Sequence, residues 1–532
     1  MDHNEVAKRI WQKDATLWKS DPESIKIINN SLGWLTVADE MIGITDDLVE
    51  FAESVRSRFE HVMVCGMGGS SLCPEVLART FGRQPGFPEL LVLDSTDPDV
   101  IAAFKDRIDI ERCLFLIASK SGSTTEPNVF YKFWYEEVSK LRENPGDNFI
   151  AITDPGSPLV ETAAELKFQR TFLNQPDIGG RYSALSYFGM VPAALMGLDV
   201  RRLLEGARQA ARADNVAVEL GLAMGDNANA GRDKLTLVID EPLETLGLWI
   251  EQLIAESTGK EGKGILPVNG EPLGSPHVYA NDRLFVSISL GSVSKSTQLE
   301  AVAAAGHPIV YREINDLYDL GTEFFVWEFA TAVAGWRLGI NPFDQPNVQE
   351  AKDATKELLN AFTRRGRLDE RNTVAADDVI TIYGADDATK AESVAEVLRN
   401  HLGTIEPRDY IAFLNYIEET PEIDRQFQEL RTQLRDSTGC AVTIGYGPRF
   451  LHSTGQLHKG GPGTGVFFQI IADDERDFAI PGEPYTFSIL KQAQALGDFR
   501  ALVKRGRRVI GVNLGDNTSR GITRLLELVQ SP

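Results

Sequence analysis

Short apolar runs alternate with helical stretches through the first third of the chain. The runs are His61–Cys65, Leu90–Leu93, Cys113–Ile117, Phe149–Ile152 and Leu166–Gln169. Strands that are buried on both faces are continuously apolar, and their alternation with helices is typical of a doubly wound parallel sheet. The pattern therefore predicts an α/β domain over residues 1–230, in which several helices precede the first strand.

Two further sets of apolar runs follow. The second set predicts strands at Leu235–Ile239, Leu284–Leu290 and Pro308–Tyr311, and hence a second doubly wound domain over residues 231–370. The third set predicts strands at Asp377–Tyr383, Ala441–Ile444, Val466–Ile471 and Arg508–Val512. A chain of 532 residues is too long for a single core, so we interpret residues 371–532 as a smaller C-terminal α/β domain, whose role no motif identifies.

The segment Ala118–Asn128 joins a predicted strand to a predicted helix and is rich in hydroxyl groups. Free backbone N–H groups and the positive end of the helix dipole meet at such a junction, which suits a phosphate. A simple N-cap would need one hydroxyl, whereas this segment has five: Ser119, Ser121, Ser123, Thr124 and Thr125. The segment therefore predicts a phosphate-binding loop.

Gly66–Ser71 also follows a predicted strand and resembles a dinucleotide-binding loop, with Asp94 at the end of the next strand. The dinucleotide pattern requires glycine where Ser71 stands. We therefore predict no nicotinamide cofactor, and interpret the loop as a tight turn that brings Gly69 and Ser70 close to a ligand.

Four charged side chains lie in segments that favour a role in binding or catalysis. Arg181 follows two glycines and could bind an oxyanion, and Glu256 ends an apolar helix where a carboxylate can act as a base. His277 and His458 both lie in glycine-rich loops. A surface arginine and a solvated glutamate are the ordinary alternatives for the first two.

The net charge of −23 argues against nucleic acid as a partner, because phosphate backbones select basic surfaces. The four cysteines show no metal-ligand spacing, so we expect no metal and a reducing compartment. The N-terminus has no apolar signal region, and no apolar run reaches about 18 residues. These features predict a cytoplasmic protein without a membrane partner.

Several of these motifs occur together in the order typical of one family. The segments Gly66–Ser71, Ser119–Glu126, Gly179–Ser183, Glu256–Lys260 and Phe343–Lys352 resemble the glucose-6-phosphate isomerase family, which is built on paired sugar-isomerase (SIS) domains. Glu256–Gly264 and Ser453–Pro462 resemble more closely the isomerase half of bacterial transaldolase/glucose-6-phosphate isomerase fusions. The resemblance implies reversible isomerisation of glucose 6-phosphate and fructose 6-phosphate through a cis-enediol, without a cofactor.

The resemblance also implies a role for each matching residue. Glu256 would be the base, Arg181 would stabilise the enediolate, and Lys352 and a histidine would open the sugar ring. His277 fits the histidine best, with His458 as the alternative, and in the family this histidine comes from the neighbouring subunit, which implies a homodimer or higher homo-oligomer. The expected substrate-binding residues are Gly69, Ser70, Ser119, Lys120, Ser121, Thr124 and Glu126.

Two other functions stay open from the sequence. One is an isomerase that also accepts mannose 6-phosphate, and the other is a sugar-phosphate-binding regulator on the same fold. A regulator would keep the hydroxyl-rich loop but would not need Glu256, Arg181 and Lys352, so their presence together favours catalysis.

Overall fold

The computed structural model describes residues 3–213, 215–291, 296–386 and 389–530. In the described part of the chain, four α-helices precede the first strand and contribute to a large core that also contains Trp34, Val62 and Leu116. They are α1 (His3–Trp11), α2 (Pro22–Asn29), α3 (Val37–Ile42) and α4 (Thr45–Val55).

The first sheet contains five parallel strands in the order β2-β1-β3-β4-β5. They are β1 (His61–Cys65), β2 (Glu89–Leu93), β3 (Cys113–Ala118), β4 (Phe149–Thr153) and β5 (Arg170–Leu173), joined by α5 (Leu72–Phe81), α6 (Pro98–Arg107), α7 (Thr125–Ser139) and α8 (Pro158–Glu165). The predicted strand Leu166–Gln169 was wrong, because those residues form the connection between α8 and β5. An edge strand that is partly exposed has no continuous apolar run to reveal it.

The second sheet has four parallel strands in the order β7-β6-β8-β9. Its elements are β6 (Lys234–Ile239), α12 (Leu246–Thr258), β7 (Leu266–Val268), β8 (Arg283–Leu290), α13 (Ser296–Ala304) and β9 (Ile309–Ile314). α9 (Tyr187–Leu195), α10 (Val200–Arg212) and α11 (Asn215–Asn229) lead from the first sheet to the second, and α14 (Leu320–Leu338), which packs on α10, α11 and α12, and α15 (Val348–Arg365) follow β9. Even α14, whose apolar residues are almost all buried, does not have the length and hydropathy of a membrane-crossing helix, and no other helix of the described ranges does.

The third sheet has six strands in the order β10-β11-β15-β14-β12-β13. Its elements are β10 (Thr373–Ala376), β11 (Thr381–Tyr383), α16 (Val394–Leu402), β12 (Tyr410–Tyr416), α17 (Pro421–Thr438), β13 (Ala441–Tyr446), α18 (Gly455–Gly460), β14 (Gly465–Ile471), α19 (Phe487–Lys504), β15 (Arg508–Asn513) and α20 (Thr518–Gln530). The sequence-based prediction missed β12, which is buried in the interior of the sheet, and missed β10. Its strand at Asp377–Tyr383 covers β11 and the turn that precedes it. The predicted α/β class with several parallel sheets is confirmed.

One strand order recurs in all three sheets. If the parallel strands of each sheet are numbered along the chain, their order begins 2-1-3-4. Strand 2 lies on one side of strand 1 and strand 3 on the other, so the strand order reverses between strands 1 and 3. Ligands of doubly wound sheets bind at this switch point, beyond the carboxyl ends of the strands. In the first sheet the loops at that point are Gly66–Ser71 and Ser119–Thr124.

The C-terminal part packs directly on the first sheet. Phe487 of α19 contacts Phe130 and Phe133 of α7, with ring centroids 6.4 and 5.5 Å apart. Leu490 and Leu496 of α19 and Leu358 of α15 belong to the same core as the outer face of this sheet. The third sheet and its helices are thus held close to the loops at the carboxyl ends of β1 and β3.

Candidate functional site

Two glycine-containing loops come into backbone contact beside the switch point of the first sheet. Gly69 lies in a short 3-10 helix, Gly68–Ser70, which packs on another, Gly180–Tyr182. A Cβ atom on Gly69 would lie 1.9 Å from the carbonyl oxygen of Gly180, so no other residue fits. The backbone of Gly69 therefore contacts the loop that carries Arg181, and its predicted approach to a ligand stays a prediction.

The guanidinium group of Arg181 and the carboxylate of Glu256 form a buried pair, with Nη1 and Oε1 3.4 Å apart. Arg181 donates through Nε to Ser257 Oγ at 2.6 Å and through Nη1 to Gln345 Oε1 at 2.9 Å. Its Nη2 donates to the carbonyl oxygens of Pro342 and Asp344, at 2.7 and 3.0 Å. The guanidinium group of Arg181 is therefore held rigidly, with one edge facing the carboxylate of Glu256.

The carboxylate of Glu256 is oriented by the helix on which it lies. Gln252, one turn earlier on α12, donates to Glu256 Oε2 at 3.2 Å and to the carbonyl oxygen of His452 at 2.7 Å. Glu256 is 8% exposed. A carboxylate that is nearly dry, held on a helix and paired with one arginine is suited to moving a proton.

Lys260 contacts the segment 341–347, to which Arg181 also donates hydrogen bonds. Its ammonium group donates to the carbonyl oxygen of Asn341 at 2.8 Å and pairs with Asp344 at 2.7 Å. Burial lowers its pKa to about 8, and the nearby charge of Arg181 acts in the same direction. Arg181 and Lys260 together fix the segment 341–347, which leads into α15.

The hydroxyl-rich loop lies at the start of α7, as predicted. Ser119 is buried and donates to Thr124 Oγ1 at 3.3 Å, while Ser121 is exposed and its hydroxyl lies 3.5 Å from that of Thr124. Thr124 is the N-cap residue, yet its side chain makes no capping hydrogen bond. The start of this 15-residue helix thus combines backbone N–H groups that no side chain caps with the hydroxyls of Ser119, Ser121 and Thr124, an arrangement suited to an anion.

Lys120 lies in the same loop but is engaged elsewhere. Its ammonium group pairs with Asp154 and donates to the carbonyl oxygen of Pro176 at 2.9 Å. In this arrangement it holds the loop to the end of β4, so its predicted contact with substrate stays a prediction.

Glu126 lies in the first turn of α7. It is contacted there by a residue from the C-terminal part of the chain. The carboxylate is 5% exposed, and its Oε1 lies 3.3 Å from His452 Nε2. Burial raises the pKa of Glu126, but the charge and hydrogen bond of His452 outweigh burial, with help from Lys352, so the net pKa is lowered. Glu126 and His452 therefore form a pair beside the hydroxyl-rich loop, with the charge of Lys352 nearby.

Sequence reasoning missed His452. It ends the 3-10 helix Arg449–His452 and directly precedes the segment Ser453–Pro462, which was singled out for its resemblance. Its partner Glu126 is 326 residues away, so no local spacing indicates the contact. The one available signal was its position beside that segment.

The structure separates the predicted histidines from this pair. His458 lies on α18 between Tyr410 and Phe467, its two ring nitrogens have no hydrogen-bond partner within the described ranges, and burial holds its pKa well below the usual value. His277 is exposed in the 3-10 helix Pro276–Val278. Within the described part of the chain, neither makes a hydrogen bond to Glu256, Glu126 or Lys352, so their predicted roles stay predictions.

Glu256, Arg181 and the start of α7 lie beside the switch point of a doubly wound sheet, and a buried carboxylate, its arginine and a helix start suited to an anion are what an enzyme acting on a phosphorylated sugar requires. The phosphoglucose isomerase family model matches residues 36–265, and the chain belongs to that family. A glucose-6-phosphate isomerase of Rubrobacter xylanophilus is 31% identical over 60% of this chain and 86% of the relative. One of Clostridium novyi is 28% identical over 62% and 87%.

Two solved structures share the fold. A hypothetical protein of Thermus thermophilus superposes with a TM-score of 0.57 at 23% identity, over 67% of this chain and 94% of that one. A glucose-6-phosphate isomerase of Chlamydia trachomatis gives 0.52 at 20% identity, over 67% and 78%.

Proposed function

We propose that the chain is a glucose-6-phosphate isomerase, which interconverts glucose 6-phosphate and fructose 6-phosphate. The observation that carries this proposal is the buried pair of Glu256 and Arg181, 3.4 Å apart. Aldose–ketose isomerisation needs a base next to a carbonyl and a cation for the developing enediolate oxygen. A protein that only bound a sugar phosphate would have no use for this pair, and the family membership supports the same reaction.

Glu256 is the proposed base. It removes the proton from C2 of the open-chain aldose, the electron pair becomes the C1–C2 double bond, and the carbonyl oxygen gains the charge. Arg181 stabilises that charge while the proton of the C2 hydroxyl passes to O1 within the cis-enediolate. Glu256 then returns its proton to C1, and the C2 oxygen becomes the carbonyl oxygen of the ketose. The phosphate, bound by Ser119, Ser121, Thr124 and the start of α7, anchors the sugar so that C1 and C2 lie at the carboxylate. Gly69 and Ser70 lie against the sugar.

Ring opening is assigned in this proposal to His452, with Lys352. When the C1–O5 bond of glucose 6-phosphate breaks, O5 gains a proton and the C1 hydroxyl loses one. Because Glu126 accepts from Nε2 of His452, the other ring nitrogen, Nδ1, is left to exchange a proton with the sugar. His277 remains the competing candidate, as the one that the family resemblance indicates. Acceptance of mannose 6-phosphate also stays a prediction.

The first test is a Glu256→Gln variant assayed with fructose 6-phosphate, with glucose 6-phosphate followed by a coupled dehydrogenase. We expect kcat to fall about 10²–10⁴-fold, as for loss of a general base. Glu261→Gln is the matched control, because Glu261 pairs with Lys19 at the surface near the end of the same helix. Turnover of Glu256→Gln within about tenfold of the parent enzyme would mean that another group moves the proton.

The second test separates ring opening from proton transfer. The open-chain ketose 5-deoxyfructose 6-phosphate has no O5 hydroxyl and cannot form the furanose ring. His452→Asn should lose about 10²–10⁴-fold in kcat on fructose 6-phosphate but little on the 5-deoxy sugar. If His277→Asn shows this selective loss and His452→Asn does not, ring opening belongs to His277.

A further inference from the structure

Glu126 has a second partner, which comes from the middle of α19. Gln494 donates through Nε2 to Glu126 Oε1 at 2.7 Å, and it is buried. That bond ends on the oxygen that His452 also approaches, at 3.3 Å. One carboxylate oxygen is therefore held between an amide from α19 and the imidazole.

A hydrogen bond at the amide oxygen fixes the orientation of the Gln494 side chain. Thr96, which is completely buried, donates its hydroxyl to Gln494 Oε1 at 2.6 Å. With the oxygen of Gln494 occupied in this way, its nitrogen must face Glu126. A reversed amide would direct its oxygen at a carboxylate, which is repulsive, so the chain Thr96–Gln494–Glu126–His452 has one favourable direction.

The same loop of the first sheet anchors both C-terminal elements that reach Glu126. Asp94 accepts two hydrogen bonds from Arg449, at 2.9 and 3.0 Å, and so holds the 3-10 helix that ends at His452. Asp97 pairs with Lys491 of α19 at 2.9 Å, one turn before Gln494. Segment 94–97, between β2 and α6, therefore sets the positions of His452 and Gln494 relative to Glu126.

We propose that Gln494 is a positioning residue for ring opening, which holds the Glu126 carboxylate in place to orient His452. This inference rests on the proposed role of His452 and extends it to α19. Without the amide of Gln494, the buried carboxylate of Glu126 loses one hydrogen-bond donor and can rotate away from the imidazole of His452. His452 then presents Nδ1 to the sugar less often, whereas the proton transfer at Glu256 is untouched.

The test uses the full-length protein and both sugars. Gln494→Leu should lower kcat on fructose 6-phosphate about 10- to 100-fold, the effect of losing a hydrogen bond to a charged group, with KM nearly constant. Turnover of 5-deoxyfructose 6-phosphate should stay near that of the parent enzyme. Thr96→Val, which frees the amide without removing it, should show the same selectivity with a smaller loss. The matched control is Gln492→Leu, an exposed glutamine on the same helix.

Each outcome separates this inference from the proposed function. An equal loss on both sugars in Gln494→Leu and Thr96→Val would make the pair merely structural and overturn the inference. So would unchanged turnover of fructose 6-phosphate in both variants. If His452→Asn itself loses both activities equally, the assignment of ring opening to His452 fails, and the positioning role fails with it, although isomerase activity in the parent enzyme still stands.

Discussion

At the scale of the residue, Arg181 shows how much of this site depends on one side chain. Its guanidinium group contacts Ser257, Gln345 and two carbonyl oxygens as well as Glu256. A lysine has a single ammonium group and cannot reach all of these acceptors at once. It would therefore leave buried carbonyl oxygens unsatisfied, and it would place its charge less accurately beside the developing enediolate.

We predict that Arg181→Lys lowers kcat about 10²–10³-fold, the range for loss of an oxyanion-stabilising donor. KM for fructose 6-phosphate should change much less, because the proposed phosphate site lies at the start of α7. Steady-state kinetics measure both parameters, with Arg79→Lys, an exposed arginine on α5, as the control. A rise in KM with constant kcat would instead assign Arg181 to substrate binding.

Residues could be predicted from the sequence where the chemistry and the surrounding motif are local. Arg181 follows two glycines and Glu256 ends an apolar helix, and the structure brings these two together. His452 and Gln494 meet Glu126 only across 326 and 368 residues of chain. Their contacts follow from the packing of the third sheet on the first, which a single sequence does not encode locally.

At the scale of the element, apolar runs predicted most of the strands but failed at the partly exposed strands β5 and β10, and at β12. β1 and β3 are buried on both faces, so their sequences are continuously apolar. β5 and the hairpin of β10 and β11 are partly exposed and lack this signal. The missed β12 has seven residues, apolar or aromatic except for Asn415, a length at which a buried strand and part of a buried helix look alike.

The contact of α16 with the third sheet should depend on pH. His401 lies in the last turn of α16, its Nε2 is 3.1 Å from the carbonyl oxygen of Phe467 on β14, and burial lowers its pKa to about 4. A lowered histidine pKa means that the unfolded chain binds more protons than the folded one between pH 6.5 and about 4. The contribution of His401 to the free energy of unfolding is therefore complete above pH 6.5. It is lost as the pH falls through this window, by roughly 1.4 kcal/mol per pH unit.

His401→Gln keeps an amide that can donate to Phe467 but removes the titrating group. We predict that the advantage of the parent protein over this variant in free energy of unfolding shrinks by about 3 kcal/mol between pH 7 and pH 4. Urea unfolding across this range measures the difference. Parallel curves for the two proteins would show that His401 does not titrate on unfolding.

At the scale of the whole molecule, three sheets with one strand order serve a single site. The first sheet supplies the phosphate loop and Glu126, α12 beside the second supplies Glu256, and the third is joined to His452 and α19. The family resemblance implied that a neighbouring subunit donates the histidine, and the predicted homo-oligomer stays a prediction. His452 instead reaches Glu126 of its own chain, so one chain contains every group that the proposed mechanism uses.

This arrangement makes a prediction about mixed assemblies. If Glu256→Gln and His452→Asn chains are co-expressed, any oligomer will contain both kinds of subunit. Were each site to combine Glu256 of one subunit with His452 of another, some sites would contain both native groups and activity would return. Because both groups belong to one chain here, every site lacks one of them, and turnover of fructose 6-phosphate should not exceed the average of the separate variants.

A chain with both substitutions, co-expressed with the parent chain, is the control: its own sites stay inactive, and each parent chain should keep its full activity. Recovery of turnover in the first mixture would show that His452 crosses between subunits in solution.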